Sequence, residues 1–100
     1  MVQYLASISI VLPEELQPPS GHLLELEREQ AAALAAQGFL LRIWRPRGLE
    51  GWHNIGLWQA NDENELKQVM STLPLYPYMT VSLQALDPHP SDPPQPREDA

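Results

Sequence analysis

Proton chemistry first becomes legible in this chain at a glutamate set within an apolar stripe. The run from Ser20 to Gln37 reads as a helix, and a wheel at about 100° per residue puts Leu23, Gln30 and Leu34 at the centre of one face. Leu26 and Ala33 lie to one side of that centre, Leu24 and Ala31 to the other, and Glu27 falls inside the same arc. Glu25, Arg28, Glu29, Ala32 and Ala36 fill the outer face, where charges are solvated. A carboxylate carried into apolar surroundings resists ionisation, so its pKa moves toward the range useful for taking and returning a proton near neutral pH. Glu27 is therefore a candidate general base. The alternative is a glutamate at the margin of the stripe that reaches water or pairs with Arg42 or Arg45.

Asn54 is the second candidate. It stands mid-strand, where asparagine is disfavoured and brings four hydrogen-bonding valences to satisfy. By parity it shares a face with Trp52, Gly56 and Trp58, and an amide beside an aromatic wall and a space-leaving glycine resembles one side of a small-ligand pocket. An asparagine bonding across an edge strand has the same sequence signature. Four of the six basic residues, Arg28, Arg42, Arg45 and Arg47, fall within twenty positions of a chain whose net charge is −7. Such a local positive spot suits a small anionic ligand, although arginines at a strand edge also serve solubility. His22, His53 and His89 are not paired at metal-ligand spacing on one element, so no metal is expected. Neither a glycine-rich phosphate loop nor a GxSxG elbow is present. Ser71-Thr72 ends a helix, where the hydroxyls satisfy terminal carbonyls.

The elements that must position these groups follow from periodicity. Residues 2–12 alternate as a strand, with Val2, Tyr4, Ala6, Ile8, Ile10 and Leu12 on one face, and Pro13 stops it. A proline-rich loop leads to Ser20 as N-cap of the first helix, and Gly38 supplies its stop. Phe39 to Arg47 is a second strand, Gly48 to Gly51 a turn, and Trp52 to Ala60 a third strand paired with the second as a hairpin. Asn61 or Asp62 caps a second helix, in which Leu66, Val69, Met70 and Leu73 keep helical spacing. Met79 to Leu86 alternates as a fourth strand after the rigid Pro74–Pro77 linker.

The order βαββαβ predicts an α+β, ferredoxin-like domain over residues 1–88: a four-stranded antiparallel sheet with both helices on one face. Residues 89–100 form a proline-rich tail that is expected to be disordered or to lie on a neighbouring subunit. On the third strand Ile55 and Leu57 are expected under the helices and Trp52 and Trp58 on the other side. On the second, Leu40 and Trp44 are expected on one side, and Phe39, Leu41 and Ile43 on the other. Two apolar faces with helices on only one of them predict a subunit interface and hence an obligate homo-oligomer.

Composition narrows the function classes. One hundred residues suit one domain, too small for a deep pocket within a single subunit. The absence of cysteine excludes disulfides and thiolate metal sites and fits a reducing cytoplasm. No apolar stretch approaches a membrane span, and no secretory signal is apparent. An acidic chain without clustered basic residues on one face is not expected to bind nucleic acid.

At Leu73 to Met79 the chain reads LPLYPYM, followed ten residues later by His89-Pro90-Ser91. These segments resemble the muconolactone delta-isomerase family, which carries a nearly identical LPLFPYM and an HPSS-like tail. Leu12-Pro13, Glu27-Arg28-Glu29, Gly38 and Trp44-Arg45 match further family positions, so the resemblance covers nearly the whole chain. It implies a cofactor-independent isomerase of aromatic catabolism in the β-ketoadipate pathway, with ferredoxin-like subunits assembled into a decamer. The substrate would be muconolactone and the product the enol-lactone of 3-oxoadipate. The resemblance puts the proton shuttle on Glu27. It also implies a tyrosine and an asparagine two residues apart at the start of the third strand. Asn54 is kept, whereas Trp52 replaces the tyrosine, and the turn Gly48 to Gly51 is about two residues longer than usual.

Those departures touch the pocket and leave substrate identity open among muconolactone, a substituted muconolactone and another unsaturated lactone acid. Relatives that eliminate chloride from chlorinated muconolactones share the scaffold, and the fold also serves non-catalytic small-ligand-binding modules and heme-free monooxygenases. In the isomerase reading Glu27 moves the proton and Asn54 and the Trp52 indole N–H meet charge developing on the lactone oxygen. Arg45, or after it Arg42, holds the substrate carboxylate.

Overall fold

The computed structural model describes residues 1–94. Strand β1 (Val2–Ile10) leads through a single 3-10 turn (Glu14–Leu16) into helix α1 (Gly21–Ala36). Strands β2 (Leu40–Trp44) and β3 (Trp52–Ala60) form a hairpin, helix α2 (Glu63–Met70) follows, and a 3-10 turn (Tyr76–Tyr78) delivers β4 (Met79–Leu86). The sheet order is β2-β3-β1-β4, with every neighbouring pair antiparallel. Two helices on a four-stranded antiparallel sheet in this order make the predicted ferredoxin-like α+β fold.

Local chemistry explains the element ends. The Ser20 side chain accepts from the Leu23 N–H at 3.0 Å and starts α1, and Gly38, at φ 89°, ends it in a conformation that a side chain would strain. Asp62, rather than Asn61, caps α2 through the Glu65 N–H at 2.8 Å. Asn61 is used in return, its backbone and side-chain amides both donating to the Glu65 carboxylate, which closes a capping box. The Ser71 and Thr72 hydroxyls donate to the carbonyls of Gln68 and Val69, as expected of residues at a helix end.

Tyr4, Ala6, Ile8 and Ile10 of β1 are buried beneath the helices, together with Leu12 beyond the strand end. They form one core with Leu34 of α1, Leu66 and Met70 of α2, and Leu73 and Leu75 of the LPLYPYM segment. Directly paired residues point to the same side of a sheet. The pairs Ile10↔Trp52, Ile8↔Asn54, Ala6↔Gly56 and Tyr4↔Trp58 therefore put Trp52, Asn54, Gly56 and Trp58 under the helices. This reverses the expected facing of β3: Ile55 and Leu57 lie on the open side.

The facing of β2 also departs from expectation, because the register slips by one residue between Leu40 and Arg42. Leu40, opposite Trp58, and Ile43, opposite Gly56, share the helix side, while Arg42 and Trp44 share the open side. The strand is also shorter than Phe39 to Arg47. The open side thus combines Leu5, Trp44, Ile55 and Leu57 with the polar Ser7, Ser9, Thr80 and Ser82. Beyond β4, the His89 ring accepts from the Ser91 N–H at 2.9 Å in a turn. Residues 95–100, the end of the expected tail, lie outside the described residues.

Candidate active site

Chain direction gathers the candidate groups at one end of the sheet. Strands β1 and β2 finish there and β3 and β4 start there, as the pairs Ile10↔Trp52 and Ile10↔Met79 show. Helix α1 begins at this end, since Pro18 and Pro19, which lead into it, share a groove with Ile10 and Trp52. Glu27 lies nine residues before the helix terminus, a rise of about 13 Å at ~1.5 Å per residue. Asn54 lies four residues before Trp58, also about 13 Å along a strand. Both groups lie on the helix-covered side of the sheet.

Glu27 is half-buried, and its Oε1 accepts a hydrogen bond from the Leu75 backbone N–H at 2.8 Å. Burial pushes its carboxyl above the ordinary value of 4.5, and the Leu75 N–H opposes that with a smaller pull downward. Of the two readings open from the sequence, pairing with Arg42 or Arg45 is not what the fold provides. The partner is a main-chain amide, offered by the LPLYPYM segment as Leu73 and Leu75 bury their side chains in the core. A neighbouring bond holds the same junction: Gln30 Nε2 donates to Thr72 Oγ1 at 2.8 Å, joining α1 to the end of α2. The carboxylate is thus held through one of its oxygens.

Asn54 is half-buried on an interior strand, opposite Ile8, and its side-chain amide makes no hydrogen bond to another described residue. It does not bridge an edge. Trp52, partly buried opposite Ile10, lines an open groove of about 640 Å³ with Ile10, Leu12, Pro18 and Pro19. Arg45 follows β2 at this same end and shares a small recess of about 90 Å³ with Trp52, His53 and Leu49. Arg42 is placed otherwise. It is exposed on the open side, its guanidinium 5.0 Å from the centre of the Trp44 ring, a cation–π contact. Within one subunit the sheet separates Arg42 from Glu27, because the bulge at Leu40/Arg42 sets its facing.

A group that sequence reasoning did not select is the Trp58 indole. Trp58 is 2% exposed, and among the described residues its Nε1 is the buried side-chain polar atom without a hydrogen-bond partner. The available signal was the Gly56-x-Trp58 spacing, since a Cβ at position 56 would sit 2.6 Å from that nitrogen.

With this geometry in place, comparison with known proteins is decisive. The family model for muconolactone delta-isomerase matches residues 2–92. This chain belongs to the muconolactone delta-isomerase family. It is 33% identical over 72 residues to the Muconolactone Delta-isomerase of Acinetobacter baylyi, covering 72% of this chain and 73% of that protein. Against the Rhodococcus opacus Muconolactone Delta-isomerase the identity is 27% over 93 residues, 92% of this chain and 98% of the relative. A crystal structure of muconolactone isomerase superposes with a TM-score of 0.78 at 25% identity, covering 94% of this chain and 97% of that one. The ferredoxin-like architecture is thus that of a muconolactone isomerase along nearly its whole length, and the family makes the chain an isomerase. Within the muconolactone delta-isomerase framework, the LPLYPYM segment has a structural role that its spelling did not disclose: it fixes Glu27.

Proposed function

We propose that this protein is a cofactor-independent isomerase that shifts the ring double bond of muconolactone, giving the enol-lactone of 3-oxoadipate in aromatic catabolism. The observation that carries this reading is a half-buried carboxylate, Glu27, held on the same side of the sheet as Asn54 and Trp52 in a chain of this family. Glu27 takes the proton from the γ carbon of the lactone. The electron pair of that C–H bond becomes the new β,γ double bond as the old α,β pair moves toward the carbonyl, giving a dienolate. The same carboxyl group then returns the proton to the α carbon, so no external acid or redox partner is consumed. Asn54 and the Trp52 indole N–H are the donors aimed at the negative charge on the lactone oxygen, where preorganised hydrogen bonds act most strongly. Arg45 orients the substrate's side-chain carboxylate.

The working form is a cytoplasmic homo-oligomer, a decamer by analogy with the family. The open side of the sheet exposes Leu5 and Trp44, and the edge strand β2 adds Leu41 and the 53% exposed Ile43. Such a surface favours burial against further copies. The domain proper spans residues 1–88, with the proline-rich tail following from residue 89. Among the described residues, no helix is long and apolar enough to cross a membrane.

The test is an ultraviolet assay with purified protein and muconolactone, following the loss of conjugation, with Glu27→Gln alongside and light scattering to size the assembly. Conversion that depends on Glu27 supports the reading. A well-folded oligomer that leaves muconolactone unchanged moves the substrate elsewhere.

A further inference from the structure

We infer that the Trp58 indole N–H is a substrate-binding donor, a second hydrogen bond to the lactone oxygen placed one strand repeat deeper than Asn54. The inference rests on the lactone-isomerase reading above and names a residue of that site.

Three observations converge on it. The Nε1 atom is fully buried and has no partner, although buried polar groups are nearly always paired. Its direction is fixed, because it lies over the Cα of Gly56, where an added Cβ would meet Nε1 at 2.6 Å and Cδ1 at 3.2 Å. The N–H therefore sits toward Asn54 along the strand, not toward the far end at Ala60. Finally, the floor at this level is made of the smallest residues available: Gly56 pairs with Ala6, and both are buried. Glycine weakens a strand interior and usually marks close approach of something else. The indole itself is one occupant of that space; its unpartnered N–H points to a second.

The occupant is a small ligand carrying an acceptor oxygen. Asn54 and Gly56 are two residues apart on one face, about 7 Å along the strand, so the Asn54 amide and the indole N–H form a short row of donors on the helix-covered face, the side of the sheet that also holds Glu27. Entry is from the Trp52 and Asn54 end, where both side chains are only partly buried, while Trp58 closes the inner end. A lactone carbonyl or ring oxygen lying along this row accepts from both donors, and a planar ring fits against the flat indole. Trp58 thereby sets how deep the ring sits relative to the carboxylate.

The experiment uses the full-length oligomer with 15N-labelled indoles, which gives three resonances, from Trp44, Trp52 and Trp58, assigned with Trp58→Phe. The probe is the saturated analogue of muconolactone, 5-oxotetrahydrofuran-2-acetate, which has no double bond to move. Expected is a downfield movement of the Trp58 N–H signal on saturation with the probe, and a loss of kcat/KM on muconolactone of about 10- to 100-fold in Trp58→Phe. The inference is overturned if the probe shifts Trp52 but leaves Trp58 unmoved. It is equally overturned if Trp58→Phe keeps the wild-type kcat/KM while melting at a higher temperature, the signature of an orphan donor with no ligand. Failure of the underlying reading looks different: the wild-type protein then neither converts muconolactone nor shifts any indole with the probe, and the inference falls with it.

Discussion

Replacing Glu27 by Gln separates a catalytic carboxylate from a structural one, because the two roles predict opposite changes in stability. Glutamine keeps an Oε1 acceptor for the Leu75 N–H, now 2.8 Å away, but cannot ionise. Loss of a general base typically lowers the rate about 10²- to 10⁴-fold, or roughly 3–5 kcal/mol in the barrier. Stability moves the other way. Burial holds the folded-state pKa above 4.5, so the unfolded chain releases its proton first as pH rises. Below the ordinary carboxylate value both states are protonated and the group carries no penalty. As pH rises through 4.5 and then through the higher folded value, ionisation increasingly favours unfolding, and the penalty is complete above it. For a half-buried side chain, solvent screening reduces how much of that penalty is realised.

Glu27→Gln is therefore expected to melt above wild type at pH 7 and level with it near pH 4, while losing nearly all turnover. The same titration governs the wild-type rate: kcat/KM rises with pH through the raised Glu27 value, above 4.5, as the base becomes ionised. Calorimetry across pH and the ultraviolet assay measure the two sides. A variant that is inactive and also less stable at neutral pH would refute the reasoning, since Glu27 would then be holding the fold and activity would fall as a by-product. Activity retained within a few-fold would refute it more directly.

Gly56→Ala forces the indole of Trp58 out of its place and is expected to destabilise by about 1–3 kcal/mol, with part of the loss recovered in the double variant with Trp58→Phe, as a denaturation cycle would read. Asp62→Ala removes the cap of α2 and should lower stability by ~1 kcal/mol in urea titration, with kcat unchanged. Arg45→Ala is expected to raise KM for the anionic lactone about tenfold or more at nearly constant kcat. Arg42→Ala should leave KM near wild type, because its guanidinium lies across the sheet on Trp44; equal KM effects from the two arginines would reverse that assignment.

The alternation of β1, the hairpin around Gly48 and Gly51, the capped α2 and the position of Glu27 were legible because each rests on a local rule. The turn glycines have φ of 80° and 88°, the caps form as spelled, and only the Glu27 carboxyl of α1 finds a buried partner. What was not legible in β3 was parity. Trp52, Trp58, Ile55 and Leu57 make both of its faces apolar, so alternation alone cannot say which one meets the helices. Pairing with β1 decides it, because Tyr4, Ala6, Ile8 and Ile10 form the larger apolar row and Trp58 falls opposite Tyr4. In β2 one bulged residue resets the pattern, which no count of alternating residues reveals. The corrected facing also removes a conflict. With Asn54 on the open side, the sheet would have stood between it and Glu27; with Asn54 on the helix-covered face, the two lie on the same side of it.

The remaining irregularities share a location. A sheet optimised only for stability would not place asparagine and glycine mid-strand, seal an unpaired indole N–H, or hold a carboxylate half out of water. A glycine in a strand interior costs about 0.5–1 kcal/mol, and a buried unpaired donor about 1–3 kcal/mol, against a total stability of roughly 5–15 kcal/mol for a small domain. Asn54, Gly56 and Trp58 occupy successive positions on one face of one strand, the helix-covered face, and Glu27 is held on that same side of the sheet by the Leu75 N–H. Scattered violations would suggest a poorly adapted sequence; violations gathered on one strip are what the proposed site predicts, because a functional site trades stability for chemistry. By that argument Trp52, in place of a tyrosine, belongs with the unpaired Trp58 N–H in one altered donor set, and substrate range should respond to both positions together.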